Sequence, residues 1–180
     1  MNTSLLIGIL GSLILVSGAA YPLKKTTHPV KSLKNWLFAI GGLLMLIYAI
    51  LNYQSDGPIF FIFLQALVNL ASIFMLSNTP EKISKPTIII SGLFLIICSL
   101  SLFENYNTIF FIFGLTGISL GYVINHNDFQ RNLSLFLGSS LIAVFSYMEA
   151  SWVFFWLNLF FAGFSGYYAN KLKNNLNHKR

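Results

Sequence analysis

Seven runs without Asp, Glu, Lys or Arg divide the chain: Met1–Leu23, Asn35–Ser55, Gly57–Pro80, Pro86–Phe103, Asn105–Asn127, Asn132–Met148 and Ala150–Asn170. The shortest has 17 residues. A helix needs about 20 mostly apolar residues, within a range of about 17–25, to cross a bilayer. Each run is long enough for one crossing and too short for two. The strands of a membrane barrel would be about ten residues long and alternate in polarity. Ile59–Leu64 and Ile88–Cys98 do not alternate. The pattern predicts an all-α integral membrane protein with seven transmembrane helices, at about residues 4–22, 35–53, 58–77, 86–103, 107–125, 132–148 and 152–170.

Composition agrees. Of 180 residues, 56% are hydrophobic and 9% charged, with a mean hydropathy of +0.71. A soluble domain carries about 25% charged residues, and eleven basic and five acidic side chains are too few to cover one. Soluble enzymes, disordered tails and folded nucleic-acid binders are excluded. A single cysteine, Cys98, excludes an internal disulfide and any multi-cysteine metal site. It lies in an apolar run and reads as a small buried hydrophobe.

Orientation follows from the loops. Lys24, Lys25, Lys31 and Lys34 follow the first run, Lys82 and Lys85 the third, Arg131 the fifth, and Lys171, Lys173, Lys179 and Arg180 the last. With seven spans, all eleven basic residues fall on one side. The opposite loops hold Asp56, Glu104 and Glu149. The positive-inside rule makes the basic side cytoplasmic, with the N-terminus outside and the C-terminus inside. The net charge of +6 is thus a matter of topology. Met1–Leu23 has no Lys or Arg ahead of its apolar stretch. That favours a retained helix over a signal peptide cleaved near Ser17-Gly18-Ala19-Ala20.

The two halves align with each other. Asn35 pairs with Asn132, Gly41 with Gly138, Leu44 with Leu141 and Tyr48 with Phe145; after a four-residue gap, Phe61 pairs with Phe154, Leu64 with Leu157, Gln65 with Asn158 and Ser72 with Ser165. Gly8 and Gly11 share their spacing with Gly114 and Gly117. The expected organisation is a three-helix unit at 1–78, a cytoplasmic loop and linker helix at 79–104, a second three-helix unit at 105–171 and a basic tail at 172–180. An odd linker helix lets both units start outside, as in transporters built from parallel repeats.

Local stretches carry a family resemblance. These are Gly8-Ile9-Leu10-Gly11 through Ala20-Tyr21-Pro22-Leu23-Lys24, then Ser32 through Tyr48-Ala49, Asp56 and Gln65, and Gly166-Tyr167-Tyr168 near the end. With the three-one-three plan, the chain resembles the SWEET and PQ-loop superfamily of small transporters. It also resembles the bacterial nicotinamide-riboside transporters and a small bacterial inner-membrane family of the same plan. Leu23 stands where that family has glutamine, Ile47 where it has tryptophan, Ala49 where it has glycine and Gln65 where it has asparagine. The fifth helix lacks the family's proline. The resemblance implies transport of a small solute across a bacterial inner membrane. It also implies that the positions of Gln65 and Asn158 line a solute site.

The residues themselves give the same candidates. A polar side chain in hydrocarbon is expensive unless paired. Gln65 and Asn158 each lie near the middle of a span and offer donors and acceptors to a neutral hydroxylated or amide ligand. They equally suit hydrogen bonds between helices. Asn69, one turn beyond Gln65, either completes the site or bridges helices. Tyr48 and Phe145 are candidate aromatic walls. Trp36 and Trp152 read as interface anchors. No ionisable side chain lies near mid-span, so a proton relay is not expected. His28, His126 and His178 are scattered on the cytoplasmic side, and no metal or cofactor is expected. No phosphate loop, nucleotide fingerprint or catalytic set is present, and no enzyme activity is expected. Asn132-Leu133-Ser134 matches a glycosylation motif but falls on the inner side. Membrane lipid and a small neutral solute are the expected partners, nucleic acid is not, and a homo-oligomer is compatible with the fold. The functional expectation is a uniport-type facilitator, with a non-transporting membrane partner or assembly protein as the alternative.

Overall fold

Long apolar stretches form helices here because each buried backbone N–H and C=O can be paired within the same segment. The computed structural model describes residues 3–21, 28–124 and 128–177. Among these are seven α-helices: α1 (Thr3–Ala20), α2 (Leu33–Tyr53), α3 (Phe60–Ser77), α4 (Glu81–Ser101), α5 (Asn107–Val123), α6 (Asp128–Met148) and α7 (Trp152–Asn177). A single 3₁₀ turn, Pro29–Lys31, precedes α2. The Pro22-Leu23-Lys24 stretch, Lys25, His126 and the terminal His178, Lys179 and Arg180 lie outside the described residues. Four helices, α1 to α4, are long and apolar enough to cross a membrane, and α5 is a shorter apolar helix. These features point to a membrane protein.

The helix ends have local causes. α3 stops at Asn78, which takes the left-handed conformation (φ 53°) and donates its N–H to the Phe74 carbonyl. Asparagine tolerates that region better than most residues. Pro80 then begins α4, with Glu81 in the first turn, where an acid complements the helix dipole. α4 therefore starts five residues before the charge-free run at Pro86. Lys85 Nζ lies 2.6 Å from Glu81 Oε2, one turn back. Pro86 is carried inside the helix. α6 likewise starts at Asp128, four residues before its charge-free run, with Arg131 Nη2 2.9 Å from Asp128 Oδ1. α7 continues seven residues past Asn170.

The packing order is simple. α1 lies on α2, α2 on α3, α5 on α6 and α6 on α7. α7 returns to α1, and α3 meets α5, so six helices close a ring. α4 stands outside that ring, chiefly along α5 and less along α3. Two glycines set the closest crossings. A Cβ at Gly41 would lie 2.8 Å from the Leu15 nitrogen and 3.1 Å from the Gly11 carbonyl oxygen, so α2 touches the α1 backbone. A Cβ at Gly138 would lie 2.6 Å from the Ile118 nitrogen and 2.8 Å from the Gly114 oxygen, so α6 touches the α5 backbone. Small residues permit such approach between helices. The ring encloses a core rich in phenylalanine, with Phe61, Phe111, Phe145 and Phe154 fully buried.

Candidate functional site

α3 and α7 face each other across the ring interior. Each brings one amide inward. Gln65 and Asn158 are both almost fully buried, and both line one small cavity of about 30 Å³. Leu64 and Leu157, their neighbours in sequence, line it too, as do Tyr122 of α5 and Ser139 of α6. No charged side chain lines it. A water needs roughly 10–15 Å³ of such space, so the cavity holds about two waters or one small polar group.

The hydrogen bonds divide the amides by role. Asn158 Nδ2 donates to the Phe154 carbonyl one turn back, at 2.8 Å. Asn69 Nδ2 donates to the Gly42 carbonyl at 2.9 Å and to the Gln65 carbonyl at 2.7 Å. Asn69 thus bridges α3 to α2 and does not line the cavity. Gln65 Oε1 and Ser139 Oγ have no hydrogen-bond partner, and both residues are buried. An unpaired buried polar group costs about 1–3 kcal/mol. Two such groups thus belong to residues that line one cavity.

Above the cavity lies an aromatic layer. Phe61 sits one turn before Gln65 on α3, and Phe154 one turn before Asn158 on α7. Their rings stack face to face, with centroids 3.9 Å apart and planes within 1°. Phe145 packs on Phe61 at 5.5 Å, and Tyr48 packs on Phe154 at 5.3 Å. Phe60 and Phe111 extend the layer, at 5.7 and 5.2 Å from Phe145. Tyr48 and Phe145, the expected aromatic walls, therefore belong to this layer and do not line the amide cavity.

Beyond the layer the ring opens into a vestibule of about 630 Å³. Its walls include the α2–α3, α4–α5 and α6–α7 loops, with Tyr48 and Phe60 among the lining residues. Asp56, Glu104 and Glu149 line it, and no lysine or arginine does. Asn107 Nδ2 donates to Glu149 Oε1 at 3.1 Å. Asp56 and Ala150 hold positive φ angles of 64° and 51°, turning the loops sharply after α2 and α6. At the other end, contacts join α1, α2 and α7. Tyr168 Oη donates to the Ala20 carbonyl at 3.1 Å, and Lys34 Nζ donates to the Tyr21 carbonyl at 3.1 Å. Phe38 and Phe161 meet edge to face at 6.0 Å.

Sequence reasoning missed Ser139, Tyr122 and the Phe61–Phe154 stack as parts of this region. Phe61 and Phe154 were paired by the internal alignment, which was the available signal for the stack. Ser139 carried a weaker one: a hydroxyl in mid-run beside Gly138, at a helix crossing. Among the described residues no group of three His, Cys, Asp or Glu is placed to hold a metal ion. No family model, curated protein or solved structure matches this chain.

Proposed function

We propose that the chain is a multi-pass inner-membrane facilitator that carries a small neutral solute, such as a sugar, nucleoside or vitamin precursor, down its gradient. Two parallel three-helix units, α1–α3 and α5–α7, rock about the amide cavity. α4 links them, with the N-terminus outside and the C-terminus in the cytoplasm. One observation carries this reading: two buried amides from α3 and α7 meet in one uncharged cavity, with an acceptor left unpaired, below a wide vestibule. The absence of charge around the cavity supports uniport over proton coupling.

Several contacts support the two-unit arrangement. Gly41 and Gly138 make equivalent backbone crossings in the two halves. The Tyr48–Phe154 contact has its counterpart in Phe145–Phe61. The contact of α3 with α5 has its counterpart in that of α7 with α1. The bilayer is supported by side chains facing away from the bundle. On α4, Ile90, Leu93, Phe94 and Ile97 are all more than half exposed, a surface suited to lipid and costly in water. The SWEET-like and riboside-transporter-like resemblance fits the same reading.

The test is uptake into proteoliposomes of labelled sugars, nucleosides, nicotinamide riboside and small vitamins, with no imposed ion gradient. Saturable uptake by the wild type, lost in the Gln65→Leu/Asn158→Leu double variant, is expected. No uptake by folded protein across the panel would refute transport. The small size of the amide cavity favours a second reading, a non-transporting membrane partner or assembly protein. A stoichiometric co-purifying partner, bound equally by the double variant, would establish it.

A further inference from the structure

Four buried side-chain polar atoms among the described residues lack a hydrogen-bond partner: Asn52 Nδ2, Gln65 Oε1, Ser119 Oγ and Ser139 Oγ. Two of the four, on Gln65 and Ser139, belong to residues lining the same cavity. Serines in helices commonly donate to the carbonyl four residues back. Ser140 and Ser146 on the same helix do so, to Phe136 and Ile142, at 2.8 and 2.7 Å. Ser139, wholly buried, does not.

The internal alignment shows that the two halves differ at this level. Ser139 stands at the position of Gly42, and Ala162 at the position of Asn69. In the first half, the Asn69 amide and the Gly42 carbonyl bond to each other, and neither is left over. In the second half, Ala162 offers no amide to the Ser139 carbonyl, and Ser139 adds a buried hydroxyl that has no partner. Asn158 of α7 and Tyr122 of α5 complete the polar lining. The unpaired atoms among the lining residues are an acceptor on α3 and a hydroxyl on α6.

We infer that Gln65 and Ser139 together form a binding site for a neutral group that both donates and accepts a hydrogen bond, such as a solute hydroxyl or primary amide. This deepens the transport reading and rests on it. Gln65 Oε1 can only accept, so the ligand must donate to it. The Ser139 hydroxyl can then donate to the same ligand. A hydroxyl or a primary amide satisfies both atoms at once. A carboxylate has no proton for Gln65, and a quaternary ammonium has neither a proton to give nor a lone pair for Ser139. No charged side chain compensates an ion here. The volume of about 30 Å³ admits one such group. From the vestibule, the rest of a solute enters when the Phe61–Phe154 layer parts. Between solutes, water meets the same donor and acceptor requirement.

The experiment uses the purified full-length protein and two readouts. Thermal unfolding in detergent is followed with D-glucose, xylitol, nicotinamide, propionate and tetramethylammonium as probes. Uptake of the labelled neutral probes is measured in proteoliposomes. Ser139→Ala is compared with Ser140→Ala, which removes a hydroxyl that does not line the cavity. At least one neutral probe is expected to raise the unfolding midpoint of wild type and Ser140→Ala saturably, and the two ions are not. Ser139→Ala should fold as the wild type does and weaken that probe about five- to tenfold, the loss of one hydrogen bond, with a matching rise in KM for uptake. Uptake with the same KM in Ser139→Ala as in the wild type would overturn the site while leaving transport standing. Saturable stabilisation that Ser139→Ala removes, in a protein that takes up nothing, would uphold the site and refute transport. Equal stabilisation by propionate or tetramethylammonium would overturn the assignment of ligand class.

Discussion

Replacing Gly138 by alanine tests whether the α5–α6 crossing is set by backbone contact. The new Cβ would lie 2.6 Å from the Ile118 nitrogen, 2.8 Å from the Gly114 oxygen and 2.9 Å from the Gly117 carbonyl carbon. All three are backbone atoms, and none can swing aside as a side chain would. Reaching an ordinary contact of 3.4 Å requires the helices to separate by about 0.8 Å. That separation loosens the contacts along the crossing, including those of Ile142, which packs against Gly114. Overpacking of this kind costs about 1–3 kcal/mol. The better helix propensity of alanine returns about 1 kcal/mol. Gly163→Ala is the control, since a Cβ there meets nothing within 4 Å and only the propensity gain applies. The two variants should differ by about 1–3 kcal/mol, Gly138→Ala being the less stable. For a chain of this size each kcal/mol moves the midpoint by about 2–4 °C. Thermal unfolding of detergent-solubilised protein, followed by tryptophan fluorescence, should place Gly138→Ala about 2–12 °C below Gly163→Ala. Equal midpoints, or a loss confined to Gly163→Ala, would refute the reasoning.

Asn69→Leu should destabilise the bundle by about 1–2 kcal/mol, because it removes the amide that donates to both the Gly42 and Gln65 carbonyls; an unchanged unfolding midpoint would show that the α2–α3 bridge contributes nothing. In a Cys98→Ala background, Tyr106→Cys should react in intact cells with a maleimide that cannot cross the membrane, and Lys82→Cys only after lysis. Both positions are exposed, and the reverse pattern would invert the proposed topology.

The number of helices was legible because charge-free length is a direct measure of what can cross a bilayer. Helix ends were less so, since a charge does not end a helix. Glu81 and Lys85 pair one turn apart and carry α4 past the limit that charge alone marks. Asp128 and Arg131 do the same at the start of α6. Aligning the halves brought out Gln65 and Asn158, and the structure places both on one cavity. Alignment could not separate Asn69 from them, because helical spacing gives a direction and not a hydrogen-bond partner. Gly42, 27 residues away, decides where that amide goes. Ser139 was hidden for a related reason. A serine in an apolar helix normally bonds its own backbone, and only the surrounding packing shows that this one does not. Tyr48 and Phe145 were read as walls from residue type, and their depth in the ring is a property of the assembled helices.

The placement of α4 makes the two halves of the chain mechanically unequal. Its main neighbour is α5, so in the proposed rocking it would travel with the later helices, giving bodies of three and four helices. The joint between them is short. It consists of Asn78, in its left-handed conformation, followed by Thr79 and Pro80. Proline restricts the rotations available there, which makes the joint a stiff pivot. In that motion a small turn of one body about it would become a larger sweep at the far end of α4, about 30 Å away for a helix of 21 residues. The outward apolar side chains of α4 would drag lipid through that sweep. The surrounding bilayer, through its viscosity and thickness, would then set the pace of any movement between the halves.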